Sequence, residues 1–481
     1  MSVAPDPAAS IAPDWLPEPG DLNALCAKLW PTNARRNSGG EIELGGLWAS
    51  ELASQFGTPL MVIDEDDARS RMRSTLEAFT AAFAEAGTSA SIYYAGKAFL
   101  TGAVVQWVRE EGLNLDVASL GELTLALRAG FPAERIGFHG NNKSVAELSC
   151  AIREGVGSIV LDSRHELERL TTLAREMGAR PRVRIRVNSG IHASTHSYLA
   201  TAHEDQKFGV TIADAERMAV QVAEENVLEL LGFHSHIGSQ IFETSGFLAA
   251  ADRLLDLHER TSKAIGRGLP ELNLGGGFGI AYLEHETPLA PAHMATELAR
   301  ELAAQAAERG IPLPHVAFEP GRSLIGPAGV TLYEVGTIKA VHVGDGDAVR
   351  HYVSVDGGMS DNARPALYDA DYTVRLASRA STADAMLVRV AGKHCESGDI
   401  VVHDGFLPSD LALGDLVAVP ATGAYCHSLS SNYNYLTRPA IVAVRHGAAE
   451  LMVRRETIED LLMRDMTFSA APTPHEQEPT A

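Results

Sequence analysis

Polar residues that could carry out chemistry follow short apolar runs at regular intervals along the chain. Lys97 follows the run SIYYAG, His236 ends the run LLGFHSH, and Glu319 ends the run HVAFE. A lysine amine can form an imine with an aldehyde, and a carboxylate can keep a pyridine nitrogen protonated. Glycines 275 to 277 lack side chains, so their backbone N–H groups can approach phosphate oxygens. Together these residue types indicate a site for pyridoxal phosphate, which combines an aldehyde, a pyridine ring and a phosphate.

Taken singly, each of these residues has an ordinary structural explanation. A lysine after a strand is usually a solvated surface charge, a strand histidine is usually a satisfied core group, and glycines usually mark tight turns. The hypothesis therefore depends on whether the fold brings the residues to one place.

Eight short β-like runs alternate with longer amphipathic stretches between residues 90 and 322. The runs are Ile92–Ala95, Leu113–Ala118, Arg135–His139, Ser158–Asp162, Val183–Asn188, Leu230–Ile237, Glu271–Gly275 and Val316–Glu319. Helical patterns such as GELTLALRAGF follow them, and this repeated order predicts a closed (β/α)8 barrel of the TIM type. Reactive groups of such barrels stand at the C-terminal ends of the strands, which is where Lys97, His236 and Glu319 fall.

The sequence pattern changes after Arg322. From there on, β-rich segments such as VTLYEVGTIKAVHV are separated by Gly, Asp and Pro turns. This pattern predicts a second, all-β C-terminal domain of the β-sandwich or β-barrel-like kind, so the fold class is α/β plus all-β. A strand from before the barrel, near Gly45–Leu52 or Pro59–Ile63, could pair back into this domain.

The predicted domain boundaries leave a tail at each end of the chain. They are a flexible N-terminal tail over 1–40, the first strands of the β domain over 41–62, the barrel over 63–327, the all-β domain over 328–460 and a flexible C-terminal tail over 468–481. Both tails are rich in Pro, Ala and small polar residues, which bury too little apolar surface to offset the entropy of ordering. Trp15 and Trp30 are the points through which the first tail could dock.

The bulk composition excludes several classes of protein. The 481 residues include 40 basic and 62 acidic ones, a net charge of −22, with no clustered basic stripe, so neither nucleic acid nor an anionic membrane is an expected partner. The four cysteines have no metal-ligand spacing and are too few for a disulfide framework. The N-terminus does not match a signal peptide, and no run approaches about 18 apolar residues. We therefore expect a cytoplasmic protein without a metal site.

Seven motifs follow one another along the chain: YYAGKAF, HSHIGSQ, GGGFG, EPGR, SDNARPALY, CESGD and GAYCHS. In this order and spacing they resemble the diaminopimelate decarboxylases, fold-type III pyridoxal-phosphate enzymes of the alanine-racemase-like class, over about residues 45 to 455. The resemblance implies decarboxylation of meso-2,6-diaminopimelate to L-lysine and CO2, the last step of lysine biosynthesis by the diaminopimelate route. It also implies a homodimer in which each active site is shared across the interface.

The resemblance also implies roles for particular residues. Lys97 would carry the cofactor, His236 would stack on its ring, and Glu319 would pair with its ring nitrogen. The further residues around the cofactor would be Ser239, Gly275, Gly276, Gly277, Gly321, Arg322 and Tyr425. Cys395, in the CESGD segment of the partner subunit, would return a proton to the substrate carbon after CO2 leaves. The substrate would be contacted by Arg322, Arg364 and Tyr368 at its distal carboxylate, by Glu396 at its distal ammonium, and by Tyr425.

Three alternatives remain open. His234 and His236 would share one face of a strand, as ligands of a metal-dependent hydrolase could, although no further set of ligands completes the shell. A non-catalytic pyridoxal-phosphate carrier would resemble the barrel alone, whereas this chain also has the β domain. A decarboxylase of ornithine or carboxynorspermidine would need an acidic distal pocket, whereas Glu396 combined with two arginines favours diaminopimelate.

Four further polar residues stand at predicted strand ends: Asp116, His139, Arg186 and Asn188. They are placed to orient the lysine or the cofactor, but the sequence does not distinguish that role from ordinary hydrogen bonding at a barrel mouth.

Overall fold

The computed structural model describes residues 11–191, 207–343 and 348–468, which form a closed barrel and a separate mixed β-sheet domain. Apart from Phe468, the predicted C-terminal tail lies outside the described residues, as do the first ten residues of the chain.

Residues 11–40 pack onto the β domain. β1 (Arg35–Arg36) pairs with β2 (Ile42–Leu44), which pairs with β3 (Leu47–Trp48) in a small antiparallel sheet. Leu29 and Trp30 are buried in an apolar cluster with residues of this sheet and of the β domain. The prediction of a flexible tail is therefore wrong for residues 11–40. Its composition was misleading because a segment poor in apolar residues can still dock on a core that other elements build.

Helix α1 (Ala49–Phe56), strand β4 (Leu60–Asp64) and helix α2 (Glu65–Glu85) connect this region to the barrel. The Asp64 carboxylate accepts the N–H of Asp67 at 3.0 Å, which satisfies one of the free donors at the start of α2.

Eight parallel strands form the closed barrel, with the last strand pairing with the first. They are β5 (Ala90–Ala95), β6 (Asn114–Val117), β7 (Ile136–Phe138), β8 (Ser158–Leu161), β9 (Arg182–Arg186), β10 (Glu229–His234), β11 (Glu271–Asn273) and β12 (His315–Phe318). Each overlaps one of the eight predicted runs, so the barrel prediction is confirmed.

Helices follow the barrel strands: α3 (Gly102–Glu110), α4 (Leu120–Arg128), α5 (Val145–Glu154), α6 (Arg164–Met177), α7 (Ile212–Glu225), α8 (Ser245–Ile265), α9 (Pro291–Glu308) and the single turn α10 (Arg322–Ile325). Five of them begin after a Ser or Thr whose hydroxyl accepts an N–H of the first turn, as Thr101 and Ser119 do. Because all eight strands run parallel, the polar residues that follow them lie at one end of the barrel.

The C-terminal domain is a mixed sheet of nine strands, and β4 is among them. Its elements are β13 (Gly329–His342), β14 (Val349–Val355), α11 (Arg364–Tyr368), β15 (Arg375–Leu376), β16 (Ala385–Ala391), β17 (Ile400–Pro408), β18 (Leu416–Pro420), β19 (Ala440–Arg445) and β20 (Ala448–Val453), followed by α12 (Ile458–Leu462). The long strand β13 pairs with β4 and β18 near its start and with β14 towards its end. Strand β4 therefore comes from before the barrel and pairs back into this domain, as one of the two sequence candidates predicts.

No helix in the described ranges has both the length and the apolar character needed to cross a membrane.

Candidate active site

A cavity of about 300 Å³ opens at the C-terminal ends of the barrel strands. Eight of the predicted cofactor-binding residues line it: Lys97, His236, Ser239, Gly277, Glu319, Gly321, Arg322 and Tyr425. Asp116, His139 and Arg186, whose roles the sequence leaves open, line it as well. The barrel thus brings together residues that are far apart in the sequence.

Lys97 lies in the turn Gly96–Ala98, directly after β5. The end of β5 is held next to the EPGR segment, because the Ala95 N–H donates to the Pro320 carbonyl at 3.1 Å. The Lys97 side chain is open to the cavity but enclosed by its walls. This desolvation lowers the pKa of the Lys97 amine; the nearby Glu319 opposes the effect and Arg186 reinforces it. A lowered pKa increases the neutral fraction of the amine, which a nucleophilic lysine requires.

Glu319, directly after β12, is at the centre of a buried hydrogen-bond network. Its Oε1 accepts from Asn273 Nδ2 at 2.8 Å, and its Oε2 lies 3.0 Å from His234 Nε2. His139 Nε2 lies 3.4 Å from Glu319 Oε1 and 3.2 Å from Asp116 Oδ1. Burial alone would raise the pKa of Glu319, but the imidazoles of His234 and His139 hold it well below its ordinary value. Glu319 is therefore a carboxylate anion at neutral pH.

The three histidines of the cavity differ in charge. Burial lowers the pKa of His234 to about 4 and that of His236 to about 3, so both rings are neutral at pH 7. Burial acts on His139 as well, but the carboxylates of Glu319 and Asp116 outweigh it and raise the pKa of His139 to about 9. Burial and the charge of Glu319 raise the pKa of Asp116 to about 6. The site thus contains an imidazolium between two carboxyl groups, beside two neutral imidazoles.

The three glycines of the turn after β11 differ in their surroundings. The Gly275 N–H donates to Asn273 Oδ1 at 2.8 Å, the Gly276 N–H donates to His236 Nδ1 at 3.3 Å, and neither glycine lines the cavity. Their role as direct cofactor contacts therefore stays a prediction, and each glycine also packs closely against its neighbours. A Cβ on Gly276, for example, would lie 2.0 Å from the Glu319 carbonyl oxygen. Gly277 does line the cavity, and its N–H has no hydrogen-bond acceptor among the described residues.

Donors suited to an anion surround the part of the cavity near Gly277. Arg322 Nη2 donates to Ser239 Oγ at 3.0 Å, and the Gly321 N–H has no acceptor within the described part of the chain. Glycine is needed at position 321, because a Cβ there would lie 2.9 Å from Ala95 Cβ. Two free N–H groups, a hydroxyl and a guanidinium are donors that a phosphate requires. Together with the anionic Glu319 and the neutral ring of His236, this donor set fits a phosphorylated pyridine.

The possible metal ligands in the structure are not the pair His234 and His236 suggested by the sequence. Potential ligand atoms of His139, His234 and Glu319 lie within 4.8 Å of one another, whereas His236 Nδ1 instead accepts the Gly276 N–H. A protonated His139 is a hydrogen-bond donor and has no lone pair for a metal ion. Without a metal ion, the group is a buried carboxylate paired with two imidazoles.

A second cavity, of about 730 Å³, adjoins the first. The two share four residues: Lys97, Ser239, Arg322 and Tyr425. The second cavity is also lined by Tyr282, by Arg364 and by Tyr368, of which the last is 64% exposed. Of the three predicted distal-carboxylate residues, Arg364 and Tyr368 therefore line the second cavity alone, and Arg322 lines both.

Two arginines of the second cavity are held by tyrosines. Arg322 Nη1 donates to the Tyr282 hydroxyl, and Arg322 Cζ lies 4.6 Å from the Tyr425 ring centroid. Arg364 is only 5% exposed; its Nη1 donates to the Tyr372 hydroxyl at 2.5 Å, and its Cζ lies 4.3 Å from the Tyr282 ring centroid. Guanidinium groups fixed in this way are suited to binding a carboxylate through paired hydrogen bonds.

Three residues of these networks were missed in the sequence: Asn273, Tyr282 and Tyr372. Asn273 is the last residue of β11, so the strand-end rule that selects Glu319 would have selected it too. Tyr282 and Tyr372 lie in irregular segments, where no periodicity distinguishes a pocket residue from other aromatic residues.

Cys395 and Glu396 lie in the loop between β16 and β17, are exposed, and line neither cavity of their own chain. His394 Nδ1 lies 2.8 Å from Asp399 Oδ2, and Asn434 Oδ1 accepts the Cys395 N–H at 2.9 Å, so the loop is well anchored. The fold of one chain does not bring Cys395 to Lys97, and its role in the site of the partner subunit stays a prediction.

The matches to known proteins cover nearly the whole of this architecture. Residues 69–326 match the family model of the pyridoxal-binding domain of pyridoxal-dependent decarboxylases. The chain is 50% identical over 446 residues to the diaminopimelate decarboxylase of Corynebacterium efficiens, covering 92% of this chain and 95% of that protein. It is also 50% identical over 451 residues to the diaminopimelate decarboxylase of Mycobacterium tuberculosis, covering 92% of this chain and 98% of that protein.

A solved structure extends the similarity to the fold. The diaminopimelate decarboxylase of M. jannaschii, crystallised in complex with L-lysine, superposes with a TM-score of 0.84 at 30% identity, covering 91% of this chain and 98% of that one. These matches confirm the resemblance seen in the motifs, and the chain belongs to the diaminopimelate decarboxylase family of pyridoxal-dependent decarboxylases.

Proposed function

We propose that the protein removes one carboxylate of meso-2,6-diaminopimelate and releases L-lysine and CO2. The observation that carries the proposal is the junction of the two cavities, where Lys97 and Arg322 line both spaces and the buried Arg364 lines the second. One end of the substrate reacts near Lys97 while the arginines hold the carboxylate at its other end. The family membership of the chain supports the same reaction.

Pyridoxal 5′-phosphate is the cofactor proposed for the first cavity. When bound, it withdraws electrons from the α-carbon of an amino acid and so makes the loss of CO2 possible. The N–H groups of Gly277 and Gly321, which have no acceptor among the described residues, and the Ser239 hydroxyl would hold its phosphate, and Arg322 donates to that hydroxyl. Tyr425 lines both cavities and would separate the phosphate from the substrate pocket.

Other residues of the first cavity would hold the ring and the aldehyde carbon. The Lys97 amine, with its lowered pKa, would bind the aldehyde carbon covalently. Glu319 remains an anion and would accept a hydrogen bond from the protonated ring nitrogen. The neutral His236 would pack against the ring without adding a positive charge that would repel it.

The distal pocket supports diaminopimelate over a simple diamino acid. Arg322 and Arg364 are both available to a distal carboxylate, and Tyr368 lines the same cavity. A substrate without that carboxylate, such as lysine or ornithine, would leave the buried Arg364 guanidinium without its anion. Breaking such a pair costs about 2–5 kcal/mol, so these amino acids should react poorly.

The proposal includes a homodimer with shared sites. Cys395 of the partner subunit would return the proton to the α-carbon, and Glu396 of the partner subunit would receive the distal ammonium. Two observations support such an interface: both residues are exposed on an anchored loop, and Tyr435, next to the Asn434 that accepts the Cys395 N–H, is 64% exposed. The cytoplasm is the proposed location, which the four free cysteines support.

The test combines spectroscopy with product analysis on the purified full-length protein. We expect a visible absorption band of lysine-bound pyridoxal phosphate, its loss in Lys97→Ala, and release of L-lysine and CO2 in equal amounts on addition of meso-diaminopimelate. L-ornithine and L-lysine are the control substrates, and Lys263→Met, at an exposed lysine of α8, is the control variant.

A band without lysine release would reject this substrate while retaining the cofactor. The absence of a band after addition of pyridoxal phosphate would reject both the proposed substrate and the proposed cofactor. Activity that depends on added zinc and disappears with a chelator would instead favour a metal ion at His139, His234 and Glu319.

A further inference from the structure

The N-terminal segment, defined here as residues 15–30, contacts the loop of residues 282–286, and that loop forms one wall of the second cavity. We propose that this segment is a positioning element of the substrate pocket, which holds the loop so that Tyr282 keeps Arg322 and Arg364 in place. The effect on substrate rests on the proposed function, whereas the contacts themselves do not.

The N-terminal segment holds the loop on both sides of His285. Lys28 Nζ donates to the carbonyl oxygen of Glu284 at 2.7 Å and to that of Glu286 at 2.9 Å. The ring of Trp15 lies against the ring of His285, with 6.0 Å between their centroids. One lysine therefore binds two carbonyl groups of the loop, and one tryptophan packs against the residue between them.

The segment is itself fixed to the β domain and so offers a rigid support. Asn23 Nδ2 donates to the Ser381 carbonyl at 2.8 Å, and the Ser381 N–H donates back to Asn23 Oδ1 at 2.9 Å. Arg375 Nε donates to the Ala24 carbonyl at 3.1 Å, and Trp30 is 1% exposed. Moving the segment away would break these bonds and expose a tryptophan, so it stays in place while the loop is held.

The loop transmits its position to both arginines through Tyr282. Glu286 Oε2 accepts the N–H of Tyr282 at 2.7 Å and that of Leu283 at 2.9 Å, which closes the loop into a tight turn. The Tyr282 hydroxyl accepts a hydrogen bond from Arg322, and its ring lies 4.3 Å from Arg364 Cζ. A shift of this turn would therefore move the partner of both guanidinium groups at once.

Lys28 and Tyr282 are positioning residues in this scheme, since neither needs to touch the reacting atoms. The distal carboxylate is bound in the same way before and during the loss of CO2. Interactions that are equal in the ground state and the transition state act on KM and leave kcat almost unchanged. A loosened loop should thus weaken substrate binding more than it slows turnover.

The test uses the cofactor-loaded, full-length protein and three variants. Lys28→Met removes both bonds to the loop, Lys28→Arg keeps a donor for them, and Lys263→Met removes an exposed lysine whose partner is Glu259 on the same helix. Steady-state kinetics give KM and kcat for meso-diaminopimelate, and hydrogen exchange gives the rates of the Tyr282 and Leu283 amides.

For Lys28→Met we expect both amides to exchange faster and KM to rise about threefold to tenfold, as the loss of one or two hydrogen bonds would give, with kcat nearly unchanged. Lys28→Arg should restore both values, and Lys263→Met should change neither. Unchanged exchange in Lys28→Met would overturn the inference, as would faster exchange with an unchanged KM. If the unaltered protein does not turn over diaminopimelate, the proposed function fails, and the exchange rates alone decide whether the segment holds the loop.

Discussion

Replacing Arg364 by methionine should remove much of the preference for a substrate with two carboxylates. Arg364 is 5% exposed, its guanidinium donates to the Tyr372 hydroxyl at 2.5 Å, and its Cζ lies 4.3 Å from the Tyr282 ring centroid, so the group is buried and held in place. Loss of one partner from a buried, hydrogen-bonded charge pair costs about 2–5 kcal/mol. At about 1.4 kcal/mol per tenfold, kcat/KM for meso-diaminopimelate should fall by about 30-fold to 4,000-fold.

Methionine is chosen because it keeps an unbranched apolar chain against the two tyrosine rings and leaves no buried charge behind. The assay compares kcat/KM for meso-diaminopimelate with that for L-lysine, which has no distal carboxylate. We expect kcat/KM for meso-diaminopimelate to fall and kcat/KM for L-lysine to stay within a few fold of its original value. The ratio of the two values should therefore fall sharply.

The matched control is Arg389→Met. Arg389 lies on β16, also has its guanidinium near a tyrosine ring, 5.9 Å from the centroid of Tyr352, and lines neither cavity. Arg389→Met should leave the ratio of the two kcat/KM values unchanged. If Arg364→Met keeps the wild-type ratio while retaining its cofactor band, Arg364 does not hold the distal carboxylate and the pocket assignment is wrong. Arg364→Lys should recover only part of the ratio, because an ammonium lacks the planar fork of arginine.

Three further predictions follow from the site and the core. Glu319→Gln keeps the shape of the carboxylate but removes its charge, so kcat should fall about 100-fold to 1,000-fold in steady-state assays; a normal kcat would contradict the ring-nitrogen role. Mixing inactive Lys97→Ala with inactive Cys395→Ala should restore about one quarter of wild-type activity, since half the dimers then contain one intact site. No recovery would argue against active sites shared between the subunits. Burial lowers the pKa of His258 to about 4, so between about pH 6.5 and 4 the unfolded chain binds a proton that the folded chain does not. The free energy of unfolding, measured with urea, should therefore fall as the pH falls through this window. In His258→Leu this fall should be smaller, and an equal fall in both proteins would refute the role of His258.

Much of the catalytic end of the barrel could be predicted from the sequence. The strand-end rule placed Lys97, His236 and Glu319 in one cavity, because a parallel barrel brings the carboxyl ends of its strands together. The eight predicted runs all correspond to barrel strands, since each is an apolar run followed by a helix. These features depend on local patterns, which a sequence displays directly.

Features that depend on contacts between distant segments were not predictable in this way. Composition suggested that residues 11–40 form a flexible tail, yet Trp30 is buried against elements that lie later in the chain. The sequence singled out the glycines as a group, but only the structure distinguishes Gly277, which lines the cavity, from Gly276, whose N–H donates to His236 Nδ1. Tyr282 gave no sequence signal, because its role comes from the two arginines that meet it from the EPGR turn and from α11.

The sequence by itself determined the barrel, the second β-rich region, the family and the chemical types of the reacting residues, because periodicity and motif order are properties of the chain alone. Tertiary structure decided how those residues are charged and what holds them. Glu319 is an anion and His236 a neutral ring only because burial and neighbouring charges act on them in the folded protein. The same holds for the distal pocket, where Arg322 and Arg364 come from different domains and meet only when Tyr282 lies between them.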